Sequence, residues 1–249
     1  MKKFIETLKN CWKIEDLRQR LLITILFTAI YRFGSFVVLP GINPTLLEKL
    51  QAQTKGGLMS LLDMFSGGAF SNASIFAIGI MPYISASIVM QLLAVAVPYF
   101  QKMQREGESG TKKINWYTRV LTVVILLFQA PSYLLNLKVQ AGGALASGID
   151  WTTFMIPATI ILAAGSMFIL WLGERITDKG VGNGISLIIM IGIIARLPQA
   201  LIQEFSNRVS AAIGGGIVML IIEIIVLYAV VCAALLLVQG TRKIPVQYA

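Results

Sequence analysis

The stretch GIMPYISASIVMQLL, residues 79–93, is apolar enough to enter a bilayer, yet it holds a proline, a tyrosine, two serines and a glutamine. It belongs to a longer apolar region, 58–97, interrupted by SGGAFSNAS at 66–74. As a single helix that region would run about 60 Å, twice the roughly 30 Å of a hydrocarbon core. Two full spans do not fit either, because too little chain precedes the interruption. A short apolar piece at 58–65 that dips in and returns, followed by a full span at 74–97, satisfies the lengths. Non-helical backbone at membrane depth is tolerated only where protein or a water-filled cavity surrounds it. The break therefore predicts an enclosed path.

Within the span at 74–97, Pro82 lacks an N–H and its ring would crowd the carbonyl of Ile78, which predicts a bend. Ser85, Ser87 and Gln91 offer polar contacts, although small serines can equally serve close helix packing. Ile80, Ile84 and Ile88 share one helical face, as do Ile185, Ile189 and Ile193. Taken alone, such stripes read as packing.

The rest of the composition agrees with a membrane protein. Of 249 residues 56% are hydrophobic and 13% charged, and the mean hydropathy is +0.76. Runs at 121–128 and 217–238 are apolar nearly all round, unlike the amphipathic helices of a soluble domain. Histidine is absent, and the two cysteines, Cys11 and Cys232, are expected to be free thiols. Neither a His/Cys metal site nor a Ser-His-Asp triad can be assembled from this inventory, so no enzyme, metal or cofactor is expected.

Six spans are predicted, at 21–40, 74–97, 118–135, 153–172, 185–202 and 214–239. The first twenty residues carry six Lys and Arg and no small-residue cleavage site follows the apolar run, so they read as a cytoplasmic amphipathic arm. Alternation from there places 15 Lys and Arg inside and four outside, with Arg32 and Arg196 within spans. The net charge of +9 is thus mostly a positive-inside signature and implies no direct nucleic-acid readout. Glu223 lies in the sixth span, where a carboxylate is costly, and Arg196 is a possible partner for it.

Several long motifs in order now carry a resemblance. MFSGGAFSNASIFAIGIMPYISASIVMQLL at 64–93, REGESG at 105–110 and GERITDKGVGNGISLII at 173–189 resemble the bacterial SecY family, the channel subunits of the Sec protein translocase. YRFGSF at 31–36, PGI at 40–42 and TRKIPVQYA at 241–249 extend the likeness along the chain. The family has ten spans in two inverted halves, and this sequence reaches just past the sixth.

The resemblance implies an all-α, polytopic membrane bundle: one SecY-type channel half, a single membrane domain over 1–249. It implies a plug half-helix at about 58–70, carrying Leu61, Met64, Phe65, Gly67 and Gly68, and a pore and lateral-gate span at 74–97. The family's hydrophobic pore ring maps to Ile80, Ile84, Ile185 and Ile189, where branched side chains can expel water yet part for a passing chain. Ser85 and Gln129 map to the polar cluster of the lateral gate. The implied partners are SecE, SecG, the SecA ATPase, the ribosome, signal peptides, nascent polypeptides and membrane lipids. A secondary transporter also uses broken helices, but it should show a second broken helix and a cluster of polar solute ligands, and the sequence offers neither.

Overall fold

The structure, a computed structural model, describes residues 13–43, 63–64, 66–140, 145, 150–209 and 216–240. Seven helices make up nearly all of them: α1 (Glu15–Gly34), α2 (Met81–Ala96), α3 (Pro98–Arg105), α4 (Glu108–Gln140), α5 (Trp151–Lys179), α6 (Gly184–Val209) and α7 (Gly216–Gln239). Among the described residues there is no strand, only two isolated bridges, Val38 to Ser74 and Ile42 to Leu145. Among the described residues four helices are long and apolar enough to cross a membrane: α4, α5, α6 and α7. The pair α2 and α3, bent by 97° at Val97, makes a fifth if it is taken as one broken span. The fold is an all-helical polytopic membrane bundle.

The chain divides into two compact units, Met1–Arg196 and Leu197–Ala249. In the first, α2 packs on α4, α4 on α5 and α1 on α5. The contact face of α2 is built from Pro82, Ala86, Met90 and Ala94, spaced four residues apart and all buried. Alanine at these positions lets neighbouring backbones approach, the usual way to gain dispersion contacts where lipid supplies no hydrophobic drive. Ser85 and Ser87 lie off that face and are half-buried. The second unit holds the end of α6 and all of α7, whose sequence is apolar on every side apart from Glu223.

Several predicted boundaries move. The first span, expected to continue to residue 40, ends as helix at Gly34, and α1 is not by itself among the helices long and apolar enough to cross. Its apolar continuation pairs with the broken segment instead: Leu39 N donates to Ala73 O at 2.9 Å and Ile75 N to Val37 O at 3.0 Å. The span expected from residue 74 begins as helix only at Met81, and residues 66–80 run as consecutive turns. Pro82 consequently sits in the first turn of α2 rather than inside a helix. There its missing N–H has no helical acceptor to lose and its fixed φ favours the helical start, so the expected mid-helix bend does not arise. The described part of the 58–70 segment is likewise helical only at Asp63 and Met64, with turns over 66–70. Finally, α4 and α5 outrun their predicted spans, reaching 33 and 29 residues, because residues 108–117 and 136–140 are wound into the ends of α4 and GERITDK into the end of α5.

Candidate functional site

The turns from Ser66 to Ile80 form a non-helical segment whose polar groups are answered locally. Ser66 Oγ donates to Asp63 O at 3.1 Å and accepts from Phe70 N at 3.0 Å. Asp63 Oδ1 accepts from Ser71 N at 2.9 Å, Ser71 Oγ donates to Gly68 O at 3.2 Å, and Ser74 Oγ accepts from Phe76 N at 3.2 Å. From α4, Tyr133 Oη donates to Phe70 O at 2.9 Å while its ring meets the Phe70 ring edge-on at 4.9 Å. The serines of SGGAFSNAS are thus the means by which a chain outside helix or sheet satisfies itself in a dry interior.

Its glycines have a separate cause. Gly67 and Gly68 have φ of +63° and +93°, in the left-handed region that favours glycine. A Cβ on Gly67 would come within 2.8 Å of the Arg32 guanidinium and 3.0 Å of the Gly192 backbone, and one on Gly68 within 2.8 Å of the Arg196 guanidinium. Two arginines and the α6 backbone therefore reach the segment through the space these glycines leave. Arg32 Nη1 donates to Gly67 O at 3.2 Å. Arg196 pairs with Asp63 at 2.5 Å and donates to Ser71 Oγ at 3.0 Å. Arg196, offered above as a partner for Glu223, is engaged by the broken segment.

At the far end of the segment the backbone turns through Gly79, φ +62°, and delivers Ile80 to the start of α2. Ile80 is buried in an apolar cluster with Tyr31, Phe76 and Ile188, and Ile84, Ile185 and Ile189 pack against the same cluster. A crevice bordered by Ile78, Ile80, Met81, Ile84, Ile188 and Ile189, with Tyr31, Ser66 and Gly79 at its margin, holds only about 10 Å³. That is at the lower limit for a single water, so the mostly apolar side chains close on one another and leave next to no room for one. Ile185 also lines a polar cavity of about 270 Å³ with Tyr83, Arg119 and Glu174. Ile188, 1% exposed, was missed by the sequence reading; it lies off the Ile185, Ile189, Ile193 stripe, one residue from it.

The turn before α6 fixes these side chains. Asn183 Oδ1 accepts from Ile185 N at 3.1 Å and Ser186 N at 3.2 Å, as an N-terminal cap. Thr177 Oγ1 accepts from Gly184 N at 2.9 Å and Thr24 Oγ1, from α1, accepts from Val181 N at 3.1 Å. GVGNG is therefore a clamped turn that sets where α6 begins.

Ser85 and Gln129, from α2 and α4, border one cavity of about 290 Å³ together with Met81, Ser132, Tyr133 and Asn136. The sequence reading expected these two to share a polar cluster, and the fold brings them to the same space. Of the residues expected to form a plug, Gly67 and Gly68 are buried and Met64 is exposed, while Leu61 and Phe65 lie outside the described residues.

The family model for SecY matches residues 74–249. The protein translocase subunit SecY of Buchnera aphidicola subsp. Schizaphis graminum is 41% identical over 251 residues, covering 100% of this chain and 56% of the relative. That of Vibrio cholerae is 41% identical over 95% of this chain and 52% of the relative, and that of Bacillus licheniformis 39% identical over 98% and 57%. The chain thus spans a little over half the length of these curated relatives. The chain belongs to the SecY family.

Proposed function

We propose that this chain forms one wall of a protein-conducting channel through which unfolded secretory polypeptides cross the membrane and membrane segments enter it. The observation that carries the reading is the tight, mostly apolar cluster of Ile80, Ile84, Ile188 and Ile189 beside an internal non-helical segment. A solute transporter needs polar ligands at its midpoint; an apolar constriction instead blocks ions while its flexible side chains part around a chain of any sequence. In this reading Ile80, Ile84, Ile185 and Ile189 belong to the pore ring, with Ile188 behind them. Residues 63–70 belong to the plug, and Ser85 and Gln129 to the lateral gate met by signal peptides.

The chain carries out no chemistry of its own; the SecA ATPase or a translating ribosome supplies the drive, and SecE and SecG complete the complex. Its place is the bacterial inner membrane, multi-pass, with the N-terminus in the cytoplasm. The test is ATP-dependent movement of a secretory precursor into vesicles bearing the complete complex, with SecA added. Protease-protected precursor is expected; none, from a correctly assembled complex, would overturn the proposal.

A further inference from the structure

Two arginines reach the broken segment from opposite sides, Arg32 from α1 and Arg196 from α6. The Asp63 side chain, 5% exposed, meets the Arg196 guanidinium on one oxygen and the Ser71 N–H on the other. The same guanidinium donates to Ser71 Oγ, so both ends of the loop from Asp63 to Ser71 hang on one side chain. Arg32 holds Gly67 O at the loop's tip.

This is a different kind of contact from those elsewhere in the bundle. The pairs Arg18–Glu15, Arg20–Asp16, Lys112–Glu108, Lys113–Glu106 and Arg119–Glu174 all have both partners at least 30% exposed. A carboxylate removed from water is stabilised only by its pairing and hydrogen bonds; without the partner it becomes an uncompensated buried charge. The Asp63 carboxylate therefore favours the seated position of the loop as long as Arg196 is there, and any movement of the loop away from α6 must part the pair.

We infer that Asp63 and Arg196 form a charge latch that seats the broken segment against α6 in the resting protein, with Arg32 as a second positioning residue at the loop tip. The inference rests on the channel reading for its consequence, since an unseated segment would loosen the seal beside Ile80 and Ile189. The latch itself is a property of the loop and can be observed without transport.

The test uses the complete channel with Cys11 and Cys232 replaced by serine and Ala69, buried in the loop, replaced by cysteine. N-ethylmaleimide reactivity at position 69 reports unseating, and resting ion conductance in planar bilayers reports the seal. Asp63→Asn keeps an oxygen for Ser71 N but strands the Arg196 charge; Arg196→Met keeps the length but strands Asp63. Arg196→Met should raise reactivity and conductance roughly ten-fold or more, because it leaves the buried Asp63 carboxylate unpaired, and Asp63→Asn should raise both by less, because the Arg196 side chain is 40% exposed to solvent. Arg196→Lys should stay near the parent. The double variant Asp63→Asn/Arg196→Met leaves neither charge stranded, so its effect should fall well below the product of the single effects. Unchanged reactivity in both single variants, or effects that simply multiply, would overturn the latch. Reactivity that follows the latch pattern in a complex that moves no precursor would leave the latch standing and sink the channel reading.

Discussion

Tyr133 on α4 donates its hydroxyl to the carbonyl of Phe70 at 2.9 Å, across 63 positions of sequence, with the two rings in edge-on contact. A helix thereby satisfies the backbone of a segment that has no helix of its own. Tyr133→Phe keeps the ring contact and leaves the Phe70 carbonyl with the Ala73 N–H alone, at 3.2 Å. The expected loss is about 0.5–1.5 kcal/mol of stability, the net contribution of one hydrogen bond. Thermal unfolding in detergent should show a lowered Tm; an unchanged Tm would mean that another donor, such as water, takes over.

Gly165 on α5 sits where a Cβ would run into the Ile75 carbonyl and the Phe76 ring. The neighbour is backbone and cannot swing aside, so Gly165→Ala should push residues 75 and 76 away from α5. Overpacking of this kind costs about 1–3 kcal/mol. The same thermal measurement checks it, and a variant as stable as the parent would show that the segment has slack against α5.

How much of this was legible in the sequence differs from residue to residue. The break at 66–74 followed from lengths alone, because forty apolar residues fit neither one span nor two. That the break extends to Ile80 did not, since IFAIGI reads as span and only pairing with residues 37–39 keeps it out of helix. Pro82 was visible, but a proline has the opposite effect inside a helix and at its start, and the sequence does not say which applies. Arg32 and Arg196 stood out as charges inside spans, whereas Asp63 did not, because its burial depends on where the loop folds back. The extensions of α4 and α5 were hidden by their polar composition; Arg119 and Glu174 pair across them at 2.7 Å.

Orientation follows from the distribution of Lys and Arg. With native cysteines removed, an impermeant maleimide added outside cells should label Asn43→Cys and Gly142→Cys and spare Ser109→Cys until the membrane is opened. Strong labelling of Ser109→Cys from outside would reverse the assignment.

The tight apolar crevice makes a second electrical prediction, independent of the charge latch. Ile84→Ser together with Ile189→Gly, in the complete channel, replaces two of its apolar side chains with a hydroxyl and a void, so water can remain in the neck and the barrier to ions falls. Single-channel recordings of the purified complex should show a resting leak larger than the parent's. No added leak would reduce these isoleucines to ordinary packing.

The central claim is that a translocating polypeptide passes beside Ile84 and Ile189, and site-specific photocrosslinking measures this directly. A photoreactive residue placed at either position, in a complete complex holding a secretory precursor arrested in transit, should crosslink to the precursor. The same probe at exposed Val95, one residue before the end of α2, should not. Crosslinks to lipid or to neighbouring helices alone, with the precursor demonstrably in transit, would contradict the account.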